Sequence, residues 1–307
     1  SYFSLGGSTF VNLLPEILPL LDQAGYEIEL EDGRQYQTTF NFKPVTEDTF
    51  SAYTWPKGHP KQGDAIKLRD YQIEVINNFL ANPQSIQEVA TGAGKTITTA
   101  ALSYSIQDYG RSIVIVPNKS LVVQTEEDYK NVGLDVGVYF GDRKELGRTH
   151  TICTWQSLNV LLKNTKNGVG NATIQDFIED VVAVIVDEVH MAKADALKTL
   201  LTGVMSRIPI RWGLTGTIPK EDFEFQALRV SLGPVIGQLK ASTLQDQGVL
   251  AQCHVNIVQL QDHVEYSNYQ SELKYLLFHL LNHVLNKPYL IHQNIIYIWV
   301  FPFQPSF

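Results

Sequence analysis

Residues 89–96 read VATGAGKT, and this short stretch decides the fold. Apolar Val89 and Ala90 lead into the glycines, and a helical pattern begins at Thr96. A glycine loop at such a junction lets backbone N–H groups approach phosphate oxygens, assisted by the positive end of the helix. The stretch therefore predicts a phosphate-binding loop. The candidate nucleotide-binding residues of this loop are Thr91, Gly92, Ala93, Gly94, Lys95 and Thr96.

Two side chains of the loop indicate ATP and Mg²⁺ as the ligands. Lys95 can reach the β- and γ-phosphates, and the Thr96 hydroxyl can bind Mg²⁺. The general phosphate-loop pattern has Gly or Ala where this sequence has Val89, but the loop from Gly92 onward is intact. A surface turn that leads into a helix is the alternative interpretation of the loop taken alone.

An acidic pair supplies the second half of the predicted site. Residues 187–190 read DEVH and directly follow the apolar run VVAVIV at 181–186. Ligands of open parallel sheets bind at the carboxyl ends of strands. Asp187 would hold Mg²⁺ directly or through water, and Glu188 would polarise the attacking water. A solvated acidic turn is the alternative. The candidate catalytic residues are thus Lys95, Asp187 and Glu188, and the candidate metal ligands are Thr96 and Asp187.

The pattern between residues 68 and 214 predicts a doubly wound α/β domain. Short β-branched runs alternate with helical stretches, as in mainly parallel sheets that are buried on both faces. The expected strands are Ser112–Val116, Thr149–Cys153, Val181–Val186 and Ile208–Leu214. The expected helices are Thr96–Asp108, Lys119–Lys130, Trp155–Lys163 and Met191–Arg207.

The N-terminal part differs in pattern and predicts a small, partial α+β domain over residues 1–55. A helix is expected at Val11–Ala24, ended by Gly25, with strands at Tyr26–Leu30 and Gln37–Phe42. A linker rich in Pro, Gly and Lys follows at 56–66. The α/β domain is expected at 67–262. Because the chain starts with Ser1, we expect it to begin inside a domain.

Residues 263–307 carry the weakest pattern. A strand is expected before them at His254–Leu260, and a helix at Tyr266–Leu277. The run IIYIWVFPF at 295–303 is too short to cross a bilayer as a helix, so no membrane partner is expected. We hypothesise that the last thirty or so residues, which contain this run, are not evolved protein sequence.

Composition limits the remaining classes. The 307 residues carry a net charge of −8, with 44% hydrophobic and 18% charged residues, which predicts a packed core. Acidity is a mild argument against a dedicated nucleic-acid binder, although a basic groove can coexist with it. Cys153 and Cys253 lie at no metal-ligand spacing, so two buried thiols in a reducing cytosol are expected. Residues 1–10 have neither a basic start nor a long apolar run, so no secretory signal is expected.

Six motifs in order resemble those of superfamily 2 helicases. They are LRDYQ at 68–72, VATGAGKT at 89–96, PNKSLVVQ at 117–124, TWQSL at 154–158, DEVH at 187–190 and LTGT at 214–217. The resemblance implies a RecA-like motor domain in which a glutamine reads the adenine edge, and Gln72 offers the donor and acceptor needed. Arg69 or Tyr71 would pack on the adenine ring. A helix-surface position is the alternative for Gln72.

The resemblance also implies a nucleic-acid strand as partner. Lys119, Ser120, Thr154 and Gln156 would contact its phosphates and sugars. Helix capping is the alternative for Ser120 and Thr154. His190, Thr215 and Thr217 would couple the ATP site to the strand.

Within the superfamily, the motifs and the N-terminal segment most resemble the UvsW-type helicases of T-even bacteriophages. That branch implies an ATP-dependent DNA helicase or translocase acting on branched or duplex DNA in recombination, repair or replication, in the cytoplasm, or the host cytoplasm if phage-encoded. A DEAH-type RNA helicase, a restriction-system motor subunit and a nucleotide-gated nucleic-acid-binding module remain alternatives.

One part of the implied machinery is missing from the sequence. Superfamily 2 motors complete the ATP site with arginines from a second RecA-like domain. No Gln…Gly-Arg…Arg run follows Thr217, and Arg229 is the last arginine. We therefore expect the second domain to belong to a longer parent protein. This chain is expected to bind Mg-ATP, to hydrolyse it weakly or not at all, and to lack unwinding activity.

Overall fold

The computed structural model describes residues 6–31, 33, 40–170, 172–191, 194–219, 222–251, 253–261 and 294–302. The chain divides into two compact units, Ser1–Leu244 and Gln245–Phe307. In the described ranges the strands are β1 (Gln84–Val89), β2 (Arg111–Val116), β3 (Val136–Phe140), β4 (Arg143–Lys144), β5 (His150–Thr154), β6 (Val181–Val186), β7 (Ile210–Thr215), β8 (Val235–Leu239), β9 (Cys253–Gln261) and β10 (Asn294–Pro302). The α-helices are α1 (Leu14–Gln23), α2 (Asp70–Ala81), α3 (Lys95–Ile106), α4 (Lys119–Asn131), α5 (Trp155–Lys166), α6 (Ile174–Ile178), α7 (Ala194–Thr202), α8 (Asp222–Leu232) and α9 (Ala241–Asp246).

Strands β1 to β8 form one sheet in the order β4-β3-β5-β2-β6-β7-β1-β8. The β3–β4 pair is antiparallel, and the other neighbouring pairs are parallel. Parallel neighbours require crossover connections, which the helices supply. The predicted mainly parallel α/β sheet is confirmed. Its carboxyl strand ends lie at one edge, and the loops that follow them gather there.

The four predicted strands of this sheet are confirmed to within two residues, but β1, β3, β4 and β8 were not anticipated. In β1, polar Ser85 and Gln87 interrupt the apolar pattern although both are buried. The Ser85 hydroxyl donates to Asn82 O at 2.9 Å, and the Gln87 amide donates to Val75 O at 2.7 Å. Because these bonds satisfy the polar groups, a central strand can carry them.

Two predictions for the helices have different outcomes. The helix after Lys119 is confirmed almost residue for residue. The helix predicted at Met191–Arg207 is shorter, since α7 covers only Ala194–Thr202 and a 3₁₀ turn occupies Val189–Met191. None of the helices in the described part of the chain has the length and apolar content that a membrane crossing needs.

The N-terminal prediction is correct for the helix and wrong for the strand. A 3₁₀ turn at Val11–Leu13 leads into α1, which ends before Gly25 at φ +78°. Tyr26–Leu30 is not a strand: Tyr26 and Leu30 are 65% and 68% exposed, so their alternating apolar side chains are not covered by another layer. Of the strand predicted at Gln37–Phe42, residues 40–42 form coil and residues 37–39 lie outside the described residues.

The segment before the predicted linker packs on the α/β domain. The Asn77 side chain accepts from Val45 N at 2.8 Å and donates to Val45 O at 3.1 Å, as a neighbouring strand would. Phe50 is fully buried, and its ring meets that of Tyr104 edge to face. The domain boundaries predicted at residues 55 and 66 stay predictions.

In the second unit, β9 and β10 pair in antiparallel fashion from Cys253↔Pro302 to Gln261↔Asn294. The strand predicted at His254–Leu260 is confirmed. The helix predicted at Tyr266–Leu277 lies outside the described residues, and the hypothesis about the origin of the tail stays a hypothesis.

Candidate nucleotide-binding site

Three neighbouring strands of the sheet carry the predicted nucleotide-binding residues. The phosphate loop follows β1, the acidic pair follows β6, and Gly216 and Thr217 follow β7. In the sheet these strands are adjacent in the order β6-β7-β1. Because all three run parallel, their following loops meet at the same edge.

The phosphate loop is shaped by glycines at positive φ. Gly92 has φ +86° and Gly94 has φ +82°, a conformation that L side chains rarely adopt. Gly94 is also the N-cap of α3. A Cβ placed on Gly94 would lie 2.5 Å from the Gln72 side-chain nitrogen. The loop therefore requires glycine here for its backbone conformation, and a Cβ would also displace the Gln72 amide.

Gln72 anchors the loop from the first turn of α2. Its Nε2 donates to Ala93 O at 2.9 Å, and its Oε1 accepts from Arg69 N at 3.0 Å. The Arg69 guanidinium donates to the Tyr71 hydroxyl at 3.1 Å. The Gln72 amide retains one further hydrogen and one further lone pair. The predicted reading of the adenine edge by Gln72, with Arg69 or Tyr71 packed on the ring, stays a prediction, and the contact of Gln72 with the loop was not anticipated.

Lys95 and Glu188 form an ion pair in the centre of the site. Lys95 Nζ lies 2.8 Å from Glu188 Oε1, and it also donates to the carbonyl of Val89 at 3.4 Å. The Lys95 side chain is 8% exposed and that of Glu188 is 18% exposed. Glu188 adopts φ +51°, which is strained for a residue with a side chain. The structure thus brings two of the predicted catalytic residues together.

Asp187 lies beside this pair with a perturbed carboxyl group. Burial, followed by the neighbouring Glu188 carboxylate, raises the pKa of Asp187 to about 6, while Lys95 opposes the shift. Asp187 Oδ1 accepts from Glu188 N at 2.9 Å. A buried carboxylate of this kind gains from a nearby cation. Mg²⁺ takes oxygen ligands, commonly one or two carboxylates together with substrate phosphates, so Asp187 and the half-buried Thr96 fit this ion chemically.

A second set of contacts joins the acidic pair to the loop after β7. His190 Nδ1 lies 2.7 Å from Thr215 Oγ1 and 3.4 Å from Glu188 Oε2. Thr215 Oγ1 donates to Thr217 O at 2.7 Å. A hydroxyl has one hydrogen, so Nδ1 of His190 must be the donor to Thr215. The three predicted coupling residues are therefore in one hydrogen-bonded chain.

Gly216 is a site residue that the sequence-based assignment omitted. Its backbone N–H donates to Glu188 Oε2 at 3.3 Å. A Cβ on Gly216 would lie 3.0 Å from Thr91 Oγ1, so the loops after β7 and β1 approach closely. A glycine between two threonines in LTGT is the signal that could have identified it.

The predicted nucleic-acid residues lie at the ends of β2 and β5, which are neighbours in the sheet. Lys119, Ser120 and Gln156 are exposed. Thr154 is buried, and its hydroxyl caps α5 by accepting from Ser157 N at 3.4 Å. Thr154 thus has the capping role that the sequence also allowed. Contact of these four residues with a strand stays a prediction.

Residues 65–220, half of the chain, match the family described as "Type III restriction enzyme, res subunit". The chain belongs to this family of superfamily 2 helicases. It is 28% identical over 174 residues to the DNA 3'-5' translocase XPB2 of Sulfurisphaera tokodaii, covering 56% of this chain and 36% of that protein. It is 26% identical over 231 residues to the DNA 3'-5' helicase XPB of Mycobacterium tuberculosis, covering 72% and 39% respectively.

The crystal structure of the UvsW helicase from Bacteriophage T4 has a similar fold. The TM-score is 0.57 at 16% sequence identity, over 77% of this chain and 81% of that chain. This likeness confirms the RecA-like class of the α/β domain. The chain spans between 33% and 39% of the length of the curated relatives that it matches.

Proposed function

We propose that this chain is the first motor domain of an ATP-dependent DNA helicase or translocase and that it binds Mg-ATP. The observation that carries the proposal is the contact of Lys95 with Glu188 at 2.8 Å, beside Asp187 and a loop with two glycines at positive φ. Basic, acidic and backbone N–H groups converge where phosphate, metal and water would meet in phosphoryl transfer.

Each residue has a distinct proposed role. The backbone N–H groups of residues 92–95 and the start of α3 would hold the phosphates, and Lys95 would neutralise their charge. Thr96 and Asp187 would hold Mg²⁺, which supplies further charge neutralisation on the phosphates when bound. Glu188, held by the Gly216 N–H, would orient the attacking water and accept its proton once Lys95 has turned to the phosphates.

DNA is the proposed polymer, because both curated relatives carry DNA 3'-5' activity in their names. Branched or duplex DNA of recombination, repair or replication is the proposed substrate of the whole protein, by analogy with UvsW. Exposed Lys119, Ser120 and Gln156 would contact one strand. An RNA substrate is the alternative, since contacts to a backbone carry little information about the sugar.

Binding is the first test. A fluorescent ATP analogue with Mg²⁺ should bind the chain, and Lys95→Ala should weaken this binding by about 10- to 100-fold. Forked DNA, single-stranded DNA and RNA of equal length are then compared, and the forked or single-stranded DNA should compete best. Tight binding of the analogue by Lys95→Ala would contradict the proposed nucleotide site. Preference for RNA would contradict the proposed polymer.

A restriction-system motor is the second candidate, favoured by the description of the matched family. The two candidates differ in what the whole protein does to DNA. A restriction motor would translocate and support cleavage of DNA with a defined recognition site, whereas the proposed helicase would remodel forks.

A further inference from the structure

A chain of buried polar side chains crosses the interior between α3, α4 and the sheet, away from the nucleotide-binding loop. We call it the hydroxyl seam, and its members are Tyr129, Ser103, Ser112 and His150. All four are fully or almost fully buried. Burying polar groups is unfavourable unless they bond to one another, so a seam of this length in an apolar interior requires an explanation.

The seam is continuous at hydrogen-bond distance. Tyr129 Oη lies 2.9 Å from Ser103 Oγ, which lies 3.3 Å from Ser112 Oγ. Ser112 Oγ in turn lies 2.7 Å from His150 Nδ1. Burial lowers the pKa of His150 to about 4, so its ring is neutral at physiological pH. The seam therefore fixes α3 and α4 to β2 and β5 through directional bonds between neutral groups.

At its Tyr129 end, the seam adjoins the first half of α3, the half that begins at the phosphate loop. Thr99 donates to Thr96 O at 2.8 Å, and Thr96 is the predicted magnesium ligand. Burial raises the pKa of Tyr129, hydrogen bonds to Ser103 and Thr99 oppose this rise, and the Asp187 carboxylate adds to it. The Tyr129 hydroxyl is thus bonded to α3 and lies within the electrostatic reach of the predicted metal ligand.

Tyr129 itself belongs to α4, which is the helix that begins with the predicted nucleic-acid residues. Tyr129 lies in the last turn of α4, at the end opposite to Lys119 and Ser120. The hydrogen bond between the Tyr129 and Ser103 hydroxyls fixes the position of α4 along its axis relative to α3. Loss of the bond would let α4 shift while its apolar packing remains.

We propose that Tyr129 is a positioning residue that couples the nucleotide site at the start of α3 to the nucleic-acid contacts at the start of α4. This inference rests on the proposed function. Nucleotide binding at the start of α3 would be transmitted through Thr99 and Ser103 to Tyr129, and by α4 to Lys119. Tyr129 touches no substrate, so its removal should alter coupling rather than either binding step alone.

The test is Tyr129→Phe, with Tyr139→Phe as the matched control. Tyr139 is also buried, but its ring packs on Phe177 at 5.0 Å and beneath Lys144 at 4.2 Å, outside the seam. Binding of a labelled single-stranded oligonucleotide is measured with and without a non-hydrolysable ATP analogue and Mg²⁺. The ratio of the two affinities is the coupling factor. Circular dichroism and a thermal scan confirm that each variant is folded.

The wild-type coupling factor should be about tenfold, within the usual range for linked sites. Tyr129→Phe should reduce it by about fivefold, the factor that one ordinary hydrogen bond contributes, and Tyr139→Phe should leave it unchanged. Equal coupling in Tyr129→Phe and wild type, or equal loss in both variants, would overturn the inference. Ser103→Ala, which removes the bonding partner of Tyr129, should reproduce the loss if Tyr129→Phe does not fold.

The two proposals fail in different ways. If the wild-type chain binds neither the ATP analogue nor the oligonucleotide, the proposed function is wrong, and the inference falls with it. If the wild-type chain binds both and couples them, the proposed function stands. The variants then decide the role of Tyr129 alone.

Discussion

Lys95 Nζ and Glu188 Oε1 lie 2.8 Å apart, which joins the loop after β1 to the acidic pair after β6. The two residues are far apart in the sequence, and each is largely buried. The positive charge of Lys95 can therefore balance the negative charge of either Glu188 or a phosphate, and these two anions compete for it. This competition gives the first two predictions.

Replacing Lys95 by Ala should weaken binding of an Mg-ATP analogue by about 10- to 100-fold, because hydrogen bonds to charged groups contribute roughly 1.5–3 kcal/mol. Fluorescence titration measures the change. Lys166→Ala removes an exposed lysine of α5 and serves as the control, for which unchanged affinity is expected. Equal affinity in Lys95→Ala and the control would show that Lys95 does not contact phosphate.

Replacing Glu188 by Gln should have the opposite effect on binding. The amide keeps the shape of the side chain but no longer holds the charge of Lys95, so the analogue should bind a few-fold more tightly. Any ATP turnover should fall, because the amide cannot accept a proton from water. Isothermal titration and phosphate release measure the two quantities. Weaker binding together with unchanged turnover would contradict both assigned roles.

Replacing Gly94 by Ala should disrupt the loop through strain and collision together. The change places an L side chain at φ +82°, which costs roughly 1–2 kcal/mol, and a Cβ 2.5 Å from Gln72 Nε2. Gly63 has φ +84° with nothing within 4 Å of its Cβ position. Gly63→Ala is thus a control for strain alone. Chemical denaturation and nucleotide titration should show a larger effect for Gly94→Ala, and equal effects would exclude the collision.

Replacing Gln72 by Ala should weaken the binding of ATP and of GTP alike, by about fivefold. The reason is that the side-chain hydrogen bonds of Gln72 to Ala93 O and Arg69 N are lost. Any additional loss that is confined to ATP measures adenine recognition by the same side chain. Competition titrations with both nucleotides separate the two contributions. Unchanged GTP affinity would contradict the anchoring role.

Glu126 gives a prediction for how the free energy of unfolding depends on pH. It accepts from Arg143 at 2.7 and 2.8 Å and from Lys130 at 2.6 Å, and the Arg143 hydrogen bonds, foremost, lower its pKa to about 2. A lowered folded-state pKa adds stability that is present above the ordinary value near 4.5 and is lost as pH falls toward 2. Because Arg143 and Lys130 are partly exposed, solvent screens the pairs, and Glu126→Gln should cost about 1 kcal/mol at pH 7 and little at pH 2.

Denaturation of this variant at several pH values checks the prediction. Glu127→Gln, an exposed change on the same helix, is the control and should show no such pH dependence. A constant difference between Glu126→Gln and wild type from pH 7 to pH 2 would contradict the assigned cause.

The α/β core was predictable because its strands and loops carry local patterns. VVAVIV is apolar throughout and forms β6 over the predicted residues, and the glycines of the phosphate loop have the backbone conformation that only glycine adopts easily. The rule for parallel sheets also predicted that the phosphate loop and the acidic pair lie at carboxyl strand ends, although the Lys95–Glu188 contact itself was not predicted. These features depend on short segments and on the general rule for parallel sheets.

Other features depend on partners that the local sequence does not reveal. β1 is a central strand although Gln87 lies within it, and the Val75 carbonyl that satisfies the amide belongs to α2. Tyr26–Leu30 has strand-like alternation, but no layer in the described structure covers its apolar side chains. Gln72 was assigned to adenine from a motif, and its bond to Ala93 O became visible only in three dimensions.

The pairing of β1 with β7 has a consequence for folding. Glu88, just before the phosphate loop, pairs with Thr215, which lies 215 − 88 = 127 residues later in the chain. Contacts between distant segments form slowly and late, because a long chain must first be ordered. The loop, the acidic pair and Thr215 therefore acquire their arrangement only when the sheet closes. A nucleotide that recognises this arrangement would bind the folded chain and not its partly folded precursors, and would act as a selective stabiliser of the finished domain.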